Sequence, residues 1–501
     1  MQGGIRMKGK LKILMVFSEV APFSKTGGLG DVGGALPKAL KDLGHDVRII
    51  TPQYQSVNER KYILRDVIRL QNIPVALGSE TLQVNVKSAF LPNSKVQVYF
   101  LDYKPFFFRK GLYVDPRNGK DYPDNDKRFI LFCKGVLETL SKLHWQPDVV
   151  HCNDWQTGLV PFFLKTLYKG NPFFSNTHSL FTVHNFAYQG NFPPSSLPLM
   201  GYDGSLGLEE SGLELYRQCS FLKAGVVHSD VLTTVSETYS REVQGSHAFG
   251  FGLEKALRAR RSTFFGIVNG IDSGTWNPET DPFLPERYGI NGLEGKRIAK
   301  RTLLERFGLP VHERIPVVAM VSRLTEQKGM DLVQHAFARI LDQGVYFILL
   351  GVGDDVYHRF FKQVQKKYPK KVGVSLTFDD PLSHLVIAGA DIFLMPSKVE
   401  PCGLTQLYSL KYGTVPVVSA VGGLADTVEP FKVKAEKGTG FVFGRPDTAS
   451  MLTALKQAVR TYADPVKWMK LQKNGMRKDF SWAVSAKRYI QLYGKCQAAR
   501  G

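Results

Sequence analysis

Short runs of apolar, β-branched residues recur at wide intervals through the first half of the chain. They include Leu11–Phe17 and Leu180–His184, and helical patterns such as Asp31–Leu43 and Arg128–Leu143 lie between the runs. The other runs of this half are Val47–Thr51, Val96–Leu101, Asp148–Cys152 and Val231–Val235. Strands that alternate with helices predict a parallel sheet with helices on both faces, which is an α/β fold.

The alternation restarts after the loop Val268–Asp272. The new apolar runs are Ile315–Val321, Val345–Leu350, Val372–Leu376, Asp391–Met395 and Val415–Ser419. We therefore predict a boundary near Gly266, with one α/β domain over residues 1–265 and a second over residues 266–479. A final helical stretch, Trp482–Cys496 within residues 480–501, is long enough to cross back onto the first domain.

Two segments, residues 53–125 and 185–215, interrupt this regular order. They are rich in Pro, Gly and Asn and fit the alternation poorly. Long irregular segments inside compact domains are often functional, so we expect insertions or lids there.

Composition narrows the class of protein. A chain of 501 residues is too long for one hydrophobic core, and 43% apolar with 22% charged residues is ordinary for a globular protein. The formal charge of +20 favours acidic ligands. Because the Lys and Arg residues are spread along the whole chain, without a basic arm or a zinc-finger or RNP-like pattern, we expect a phosphorylated small substrate and no nucleic acid.

The cysteines and the apolar runs indicate the compartment. The cysteines show no CxxC pair and no zinc-like spacing with His, which fits free thiols in a reducing cytoplasm; they are Cys133, Cys152, Cys219, Cys402 and Cys496. The run Ile13–Phe17 after the basic Met1–Lys10 is short and lacks a cleavage site, so we interpret it as a core strand. No stretch approaches the roughly 20 apolar residues of a membrane span, and we expect a soluble protein without a membrane partner.

A glycine-rich segment, Lys25–Gly34, follows the first strand. Its glycines have the GxGxxG spacing of dinucleotide folds, but Ser18–Gly27 separates them from the strand and Thr51–Gln53 supplies no acidic residue. A nicotinamide cofactor is therefore not expected. A glycine loop that opens onto a helix N-terminus still lets backbone N–H groups approach an anion or a sugar hydroxyl closely.

Two cations follow the first strand run of the second half. A helix that starts near Thr325 would place Lys328 in its first turn, where the helix dipole disfavours a cation by roughly 0.3–1 kcal/mol. A bound anion would offset that cost. Arg323, directly after the strand, could then grip a diphosphate together with Lys328.

The segment Glu400–Gln406 also follows a strand run. Its proline and glycine shape a helix start, so the N–H groups of Gly403, Leu404 and Thr405 are candidates for holding phosphate oxygens. A carboxylate does not favour a nearby phosphate. We therefore expect Glu400 to accept hydrogen bonds from sugar hydroxyls.

In the first half, His151–Trp155 and His184–Gly190 both follow strand runs. Two polar clusters with aromatic residues at neighbouring strand ends favour a carbohydrate site, whereas one such His is often structural. Two other patterns are weaker. Asp124–Asp126 has the DxD form of metal sites but precedes a helical run and fits an N-cap, and Ser383–His384 lacks the nucleophile elbow of a hydrolase.

Together these motifs closely resemble the bacterial glycogen synthase and plant starch synthase family, glycosyltransferase family 5. The resemblance covers nearly all of the chain from about Leu11 and rests on Lys25–Val32, His184–Gly190, Ser322–Gly329, Glu400–Gln406 and Gly422–Val428. It implies the GT-B fold, two Rossmann-like domains facing a deep cleft, with no cofactor and no required metal. It also implies an ADP-glucose:1,4-α-D-glucan 4-α-D-glucosyltransferase that extends a glycogen or starch primer with retention.

The resemblance implies roles for individual residues. Lys25, Arg323 and Lys328 look like the family's contacts to the nucleotide phosphates. Glu400 and His184 look like its contacts to glucose, with the main-chain carbonyl of His184 facing the anomeric carbon.

Asp154 resembles a carboxylate that the family requires in the same pocket. Phe378 falls where the family has an aromatic that stacks on adenine, and Tyr188 and Gln189 fall on the acceptor side. The full set of implied substrate-binding positions is Lys25, Gly27, Gly28, Asn185, Tyr188, Gln189, Phe378, Cys402, Gly403, Leu404 and Thr405.

The chain departs from the family pattern in two places. Ser220 stands where asparagine is usual, and Ser419–Val421 replaces a stretch that usually carries arginine and threonine. Two alternatives stay open here: another GT-B transferase, acting on sucrose or a lipid acceptor, and a catalytically silent glucan-binding protein. The choice between ADP-glucose and UDP-glucose and the oligomeric state are open as well.

Overall fold

The computed structural model describes residues 9–202 and 208–498, which form two compact units. The first unit runs to Val235 and adds Ser240–Gly270 and the chain from Trp482; the second comprises Ser236–Tyr239 and Ile271–Ser481. Most of the basic stretch Met1–Lys10, part of the segment 185–215 and the end of the stretch 480–501 lie outside the described residues.

A ten-stranded sheet forms the centre of the first unit, in the order β15-β14-β10-β9-β1-β2-β6-β5-β3 with β4 beside β5. The strands from β15 to β6 in this order are parallel, and β3, β4 and β5 pair antiparallel. The strands up to residue 266 are β1 (Lys12–Val16), β2 (Asp46–Pro52), β3 (Arg65–Asp66), β4 (Ile73–Leu77), β5 (Glu80–Phe90), β6 (Gln97–Asp102), β7 (Val114–Asp115), β8 (Lys120–Asp121), β9 (Val149–Asn153), β10 (His178–Val183), β11 (Asn191–Phe192), β12 (Glu214–Leu215), β13 (Gln218–Ser220), β14 (Val231–Thr234) and β15 (Phe264–Gly266).

The central strands are buried on both faces. Every residue of β9 and β10 is buried, including polar residues such as His151 and Thr182, whose side chains lie 2.7 Å apart and hydrogen-bond to each other. Ile13 of β1 lies between Val47 and Val149 in register. The helices up to residue 259 are α1 (Gly28–Asp42), α2 (Glu59–Tyr62), α3 (Lys104–Phe107), α4 (Asn125–Leu143), α5 (Leu159–Lys165), α6 (Phe221–His228), α7 (Glu237–Gly245), α8 (His247–Gly250) and α9 (Glu254–Ala259).

The predicted run Val96–Leu101 is β6, but the prediction that the rest of residues 53–125 form an insertion or lid is wrong for β3, β4 and β5, which extend the main sheet. In β5, Val84 and Val86 are buried while the residues beside them are more exposed. Such alternation is typical of antiparallel strands in which one face of the sheet is exposed to solvent. It differs from the largely buried central parallel strands. In the described part of 185–215, β11 and β12 pair with β13 in a small separate sheet.

The second unit contains a six-stranded, all-parallel sheet in the order β18-β17-β16-β19-β20-β21. Alternate residues of β16 enter two hydrophobic clusters, Val318 and Met320 in one and Val317 and Ala319 in the other, so helices cover both faces. The strands are β16 (Val317–Val321), β17 (Tyr346–Leu350), β18 (Val372–Ser375), β19 (Ile392–Met395), β20 (Val415–Ser419) and β21 (Phe441–Phe443).

The helices of this unit are α10 (Glu294–Arg306), α11 (Met330–Leu341), α12 (Asp355–Lys367), α13 (Asp380–Gly389), α14 (Thr405–Lys411), α15 (Gly422–Thr427), α16 (Thr448–Tyr462) and α17 (Pro465–Met476). The last helix, α18 (Trp482–Ala498), belongs to the first unit and packs against α1. Among the helices of residues 9–202 and 208–498, none has the length and apolar composition to cross a membrane. The same residues hold no group of three or more His, Cys, Asp or Glu side chains placed to bind a metal.

Candidate active site

Asp154 lies directly after β9, at the carboxyl end of the first sheet. Its backbone has φ 58° and ψ 176°, a conformation that residues other than glycine rarely adopt. Its Oδ1 accepts a hydrogen bond of 2.7 Å from the N–H of His184, which follows the neighbouring strand β10. The carboxylate therefore joins the two strand ends that carry the predicted sugar site.

His184 is held as a neutral imidazole. Burial lowers its pKa to about 3. Its Nε2 lies 3.1 Å from Oδ1 of Asn153, and the amide nitrogen of Asn153 donates to the carbonyl of Val16 at 3.2 Å. Because Val16 orients that amide, the Asn153 oxygen faces His184 and Nε2 acts as the donor.

A second buried carboxylate lies near Asp154. Burial raises the pKa of Asp154 to about 7, and Glu19 adds to the increase. Burial also raises the pKa of Glu19, whose Oε2 accepts from the backbone N–H and the hydroxyl of Thr26 at 2.5 and 2.8 Å. Glu19 is missing from the predicted site, although an acidic residue between a buried strand and a glycine loop is a signal that could find it.

The glycine-rich segment begins a helix earlier than predicted. The sequence pattern starts this helix at Asp31, but α1 begins at Gly28 with Gly27 as its N-cap. Glycine is a weak helix former, so Gly28 and Gly30 do not show in the pattern. Close packing favours glycine at position 30, where a Cβ would lie 3.1 Å from Cγ of Lys25. Lys25, in the loop before α1, pairs with Asp31 in the first turn of the helix, with Nζ 2.7 Å from Oδ1.

The predicted acceptor-side residues have different surroundings. Tyr188 exposes 52% of its surface. Gln189 is buried, and its amide donates to the carbonyl of Phe251 at 2.8 Å. The Oδ1 of Asn185 accepts from the N–H of Ala187 at 3.0 Å. Tyr188 thus offers a surface to a ligand, while Asn185 and Gln189 shape the loop that carries it.

In the second unit, the helix predicted to start near Thr325 begins only at Met330. A single 3₁₀ turn ends at Lys328, and Gly329 follows with φ 74°. A Cβ on Gly329 would lie 2.1 Å from the carbonyl oxygen of Pro396, so this position requires glycine. A helical turn does begin after Thr325 and contains Lys328, as predicted, but the α-helix itself starts only beyond Gly329, whose close approach involves a residue distant in the chain.

Three neighbouring strand ends meet at Glu400. The Nζ of Lys328, after β16, lies 2.6 Å from Oε2 of Glu400, after β19, and both side chains are largely buried. After β20, the N–H of Gly423 donates to the carbonyl of Glu400 at 3.1 Å, and a Cβ on Gly422 would lie 2.0 Å from that oxygen. The structure therefore brings together the three predicted motifs of the second half.

The loop before α14 presents unpaired donors. Within the described part of the chain, the N–H groups of Gly403, Leu404 and Thr405 have no hydrogen-bond acceptor. The amide nitrogen of Gln406 donates to the carbonyls of Cys402 and Gly403 at 3.0 Å each, which holds the loop in shape. A helix start of this kind attracts anions.

Arg323 lies at the same strand end as Lys328, and Phe378 lies at another strand end of this sheet. Arg323 is exposed after β16. Phe378 follows β18 and exposes 84% of its surface, which leaves room for a stacking partner. The strand β17 separates β16 from β18.

The two departures from the family pattern are structural in this chain. The Oγ of Ser220 caps α6 by accepting from the N–H of Lys223 and donates to the carbonyl of Gln189 at 3.2 Å. Ser419 is fully buried, and its hydroxyl donates to the carbonyl of Ser397.

The chain is similar to known proteins over nearly its whole length. A family model described as the starch synthase catalytic domain matches residues 12–259, and one described as glycosyl transferases group 1 matches residues 303–475. A glycogen synthase of Syntrophotalea carbinolica is 45% identical over 485 residues, which are 97% of this chain and 99% of the relative. The chain belongs to the glycogen synthase and starch synthase family. A glycogen synthase of Myxococcus xanthus is also 45% identical, over 96% of this chain and 99% of the relative.

A solved structure agrees with membership of the glycogen synthase and starch synthase family, and a more distant one shares the fold. The catalytic domain of starch synthase IV from Arabidopsis thaliana, bound to ADP and acarbose, matches with a TM-score of 0.88 at 33% identity, over 98% of this chain and 100% of that one. With the parallel sheets of both units, this likeness confirms the predicted two-domain α/β fold of the GT-B class. A sucrose-phosphate synthase from Thermosynechococcus elongatus, with a TM-score of 0.58 at 18% identity over 97% of this chain and 100% of that one, shares the fold alone.

Proposed function

We propose that this protein transfers glucose from ADP-glucose to the non-reducing 4-hydroxyl of an α-1,4-glucan, with retention, and so elongates glycogen or starch. The observation that carries the proposal is the convergence of three family motifs on the Lys328–Glu400 pair. In this proposal residues 266–479 bind the nucleotide sugar, and residues 1–265 with the last helix bind the glucan.

Departure of ADP needs positive charge more than a proton donor, because a diphosphate is a weak base. Arg323, Lys328 and the unpaired N–H groups from Gly403 to Thr405 supply that charge. Lys25, with the close backbone approach at Gly27 and Gly28, adds a further phosphate contact. Phe378 stacks on the adenine.

The sugar is held by carboxylates and by His184. Glu400 accepts hydrogen bonds from glucose hydroxyls. The main-chain carbonyl of His184 faces the anomeric carbon. The backbone N–H of the same residue donates to Oδ1 of Asp154 at 2.7 Å, which fixes the backbone at this position. Because the imidazole of His184 is neutral and its Nε2–H is donated to Asn153, the ring carries no charge into the site. Tyr188 lies along the bound glucan.

Retention follows from attack on the face that ADP leaves. The acceptor 4-oxygen bonds to C1 while the bond from C1 to the β-phosphate oxygen breaks, and the acceptor proton passes to that leaving oxygen. Asp154 already accepts a hydrogen bond at Oδ1 and Glu400 is paired with Lys328, which favours positioning over nucleophilic roles for both. A glucosyl adduct trapped on either residue by mass spectrometry would contradict this step.

The test is incorporation of radiolabel from ADP-glucose into an ethanol-insoluble, amylase-sensitive polymer on a glycogen primer. Lys328→Ala should lower turnover about 10²- to 10³-fold, since it removes one preorganised donor. Lys398→Ala is the matched control, because this lysine pairs with Glu326 and Asp331 at 2.7 and 2.8 Å. It should retain near wild-type turnover.

Other outcomes would identify the alternatives. Label that enters sucrose or a lipid would mean another GT-B transferase, and glucan binding without turnover would mean a silent binding protein. Competition between ADP-glucose and UDP-glucose would define the donor. All five cysteines are buried free thiols, which supports a cytoplasmic location.

A further inference from the structure

The carboxylate of Glu400 is held on one oxygen only. Both of its donors, the Nζ of Lys328 at 2.6 Å and the hydroxyl of Ser397 at 3.0 Å, reach Oε2. Oε1 receives no hydrogen bond from the described residues and is not among the atoms sealed from solvent. One oxygen of a nearly buried carboxylate is therefore left available to a ligand.

The backbone around Ser397 is fixed at both ends. Ser397 follows β19 and is 2% exposed, and its carbonyl accepts from the buried hydroxyl of Ser419 at the end of β20. At the other end of this turn, the carbonyl of Glu400 accepts from Gly423. The hydroxyl of Ser397 thus points at Oε2 from a rigid frame.

Lys328 alone cannot determine which oxygen faces outward. An ammonium on a flexible stem acts as a point charge, and the two carboxylate oxygens are equivalent to it. A second donor from a different direction fixes the plane of the carboxylate. Removing it lets the group rotate and weakens any contact that needs one particular oxygen position.

We propose that Ser397 is a positioning residue that orients Glu400 so that Oε1 accepts a hydrogen bond from one ring hydroxyl of the donor sugar. This proposal rests on the proposed function. A site built to bond a hydroxyl strongly rejects an analogue that lacks it, because its own polar group is then left without a partner. Ser397 should therefore set part of the discrimination between ADP-glucose and its deoxy analogues.

The experiment compares wild type, Ser397→Ala, Ser397→Thr and Ser409→Ala. Threonine keeps the hydroxyl. Ser409 is a fully buried serine on α14 whose hydroxyl donates to the carbonyl of Gln406, so Ser409→Ala controls for loss of a buried hydroxyl away from Glu400. Turnover is measured with ADP-glucose and with ADP-sugars that lack one ring hydroxyl each, and affinity for ADP alone is measured by calorimetry.

Ser397→Ala should lower kcat with ADP-glucose about 10-fold or more, as expected for losing a hydrogen bond to a charged group. Its affinity for ADP should stay near wild type, its Tm should fall no further than that of Ser409→Ala, and its preference for ADP-glucose over one deoxy analogue should shrink. Ser397→Thr and Ser409→Ala should retain that preference.

Unchanged discrimination in Ser397→Ala would overturn the proposal, as would a loss of ADP affinity that parallels the loss of turnover. A wild-type protein that transfers no glucose would instead defeat the proposed function. In that case the calorimetric difference between ADP-glucose and ADP, compared in wild type and Ser397→Ala, still decides the role of Ser397.

Discussion

Asp154 has a strained backbone conformation, and its buried surroundings disfavour a charged carboxylate. A positive φ is strained in a residue with a side chain, and burial raises its pKa to about 7. The hydrogen bond from the N–H of His184 offsets part of this cost. Such strain at a strand end is typical of functional sites.

Asp154 should make stability depend on pH. The folded protein holds this proton more tightly than the unfolded chain, so the free energy of unfolding falls as pH rises from about 4 to about 7. In Asp154→Asn, the drop measured by chemical denaturation between pH 5 and pH 8 should shrink by at least about 1 kcal/mol. An identical drop in wild type and variant would contradict the buried, proton-binding state.

Glu19 should act on turnover through the glycine loop. Glu19→Ala releases the N–H and the hydroxyl of Thr26, so kcat/KM for ADP-glucose should fall about tenfold, as for loss of a hydrogen bond to a charged group. Glu19→Gln keeps an acceptor for both donors and should stay close to wild type. Steady-state kinetics would measure kcat/KM, and thermal melts would check that the variants fold. Equal activity of Glu19→Ala and Glu19→Gln would contradict the role of Glu19 in holding Thr26.

At the scale of elements, α1 shows two different uses of glycine. A Cβ on Gly34 would lie 2.7 Å from the carbonyl oxygen of Ala21, whereas a Cβ on Gly27 would meet nothing within 4 Å. Gly27 also has an extended backbone, with φ −161°, that alanine can adopt. Gly34 thus serves packing, and the open space at Gly27 is available to a ligand.

The two alanine variants should therefore separate stability from activity. Gly34→Ala should lose about 1–3 kcal/mol of unfolding free energy through overpacking. Gly27→Ala should melt like wild type but raise KM for ADP-glucose, since its methyl group occupies space near the proposed phosphate contact. Denaturation curves and donor titrations on both variants would measure this. A Gly27→Ala protein with unchanged KM would remove Gly27 from the site.

At the scale of the whole molecule, the end of the chain completes the first unit. The hydroxyl of Tyr493 on α18 lies 2.9 Å from Nδ1 of His151, and both side chains are fully buried. Burial lowers the pKa of His151 to about 3, so this contact stays neutral at physiological pH. Residues more than 300 positions apart thus share one core.

We expect deletion of α18 to unfold the first unit, and not merely to remove a segment on which its stability does not depend. A chain ended at Ser481 exposes the apolar surface under α18, and we expect it to aggregate or to lose its cooperative melt. Tyr493→Phe keeps the ring and should cost only about 0.5–1.5 kcal/mol. Calorimetry and size-exclusion chromatography would compare the two, and a truncated chain with the wild-type melt would contradict this role of α18.

The pattern of apolar and polar residues along the chain predicted most of the strands and helices. It predicted few of the hydrogen bonds and ion pairs within the candidate site. The predicted run Val415–Ser419 coincides with β20, and the other central parallel runs match the observed strands within a few residues. Such strands are buried on both faces, so composition alone marks them. The strand β5 was not predicted, because only alternate side chains are buried there and its sequence contains no continuous apolar run.

The amino-acid sequence by itself determined the two α/β halves, the family and the motifs at the strand ends, because these depend on residues close together in the chain. Only the tertiary structure decided where α11 begins, which oxygen of Glu400 is tied to Lys328, and that Glu19 anchors Thr26. Each of these depends on a spatial contact set by how strands and loops pack. The periodicity of apolar and polar residues along the chain does not indicate which distant residues make such contacts.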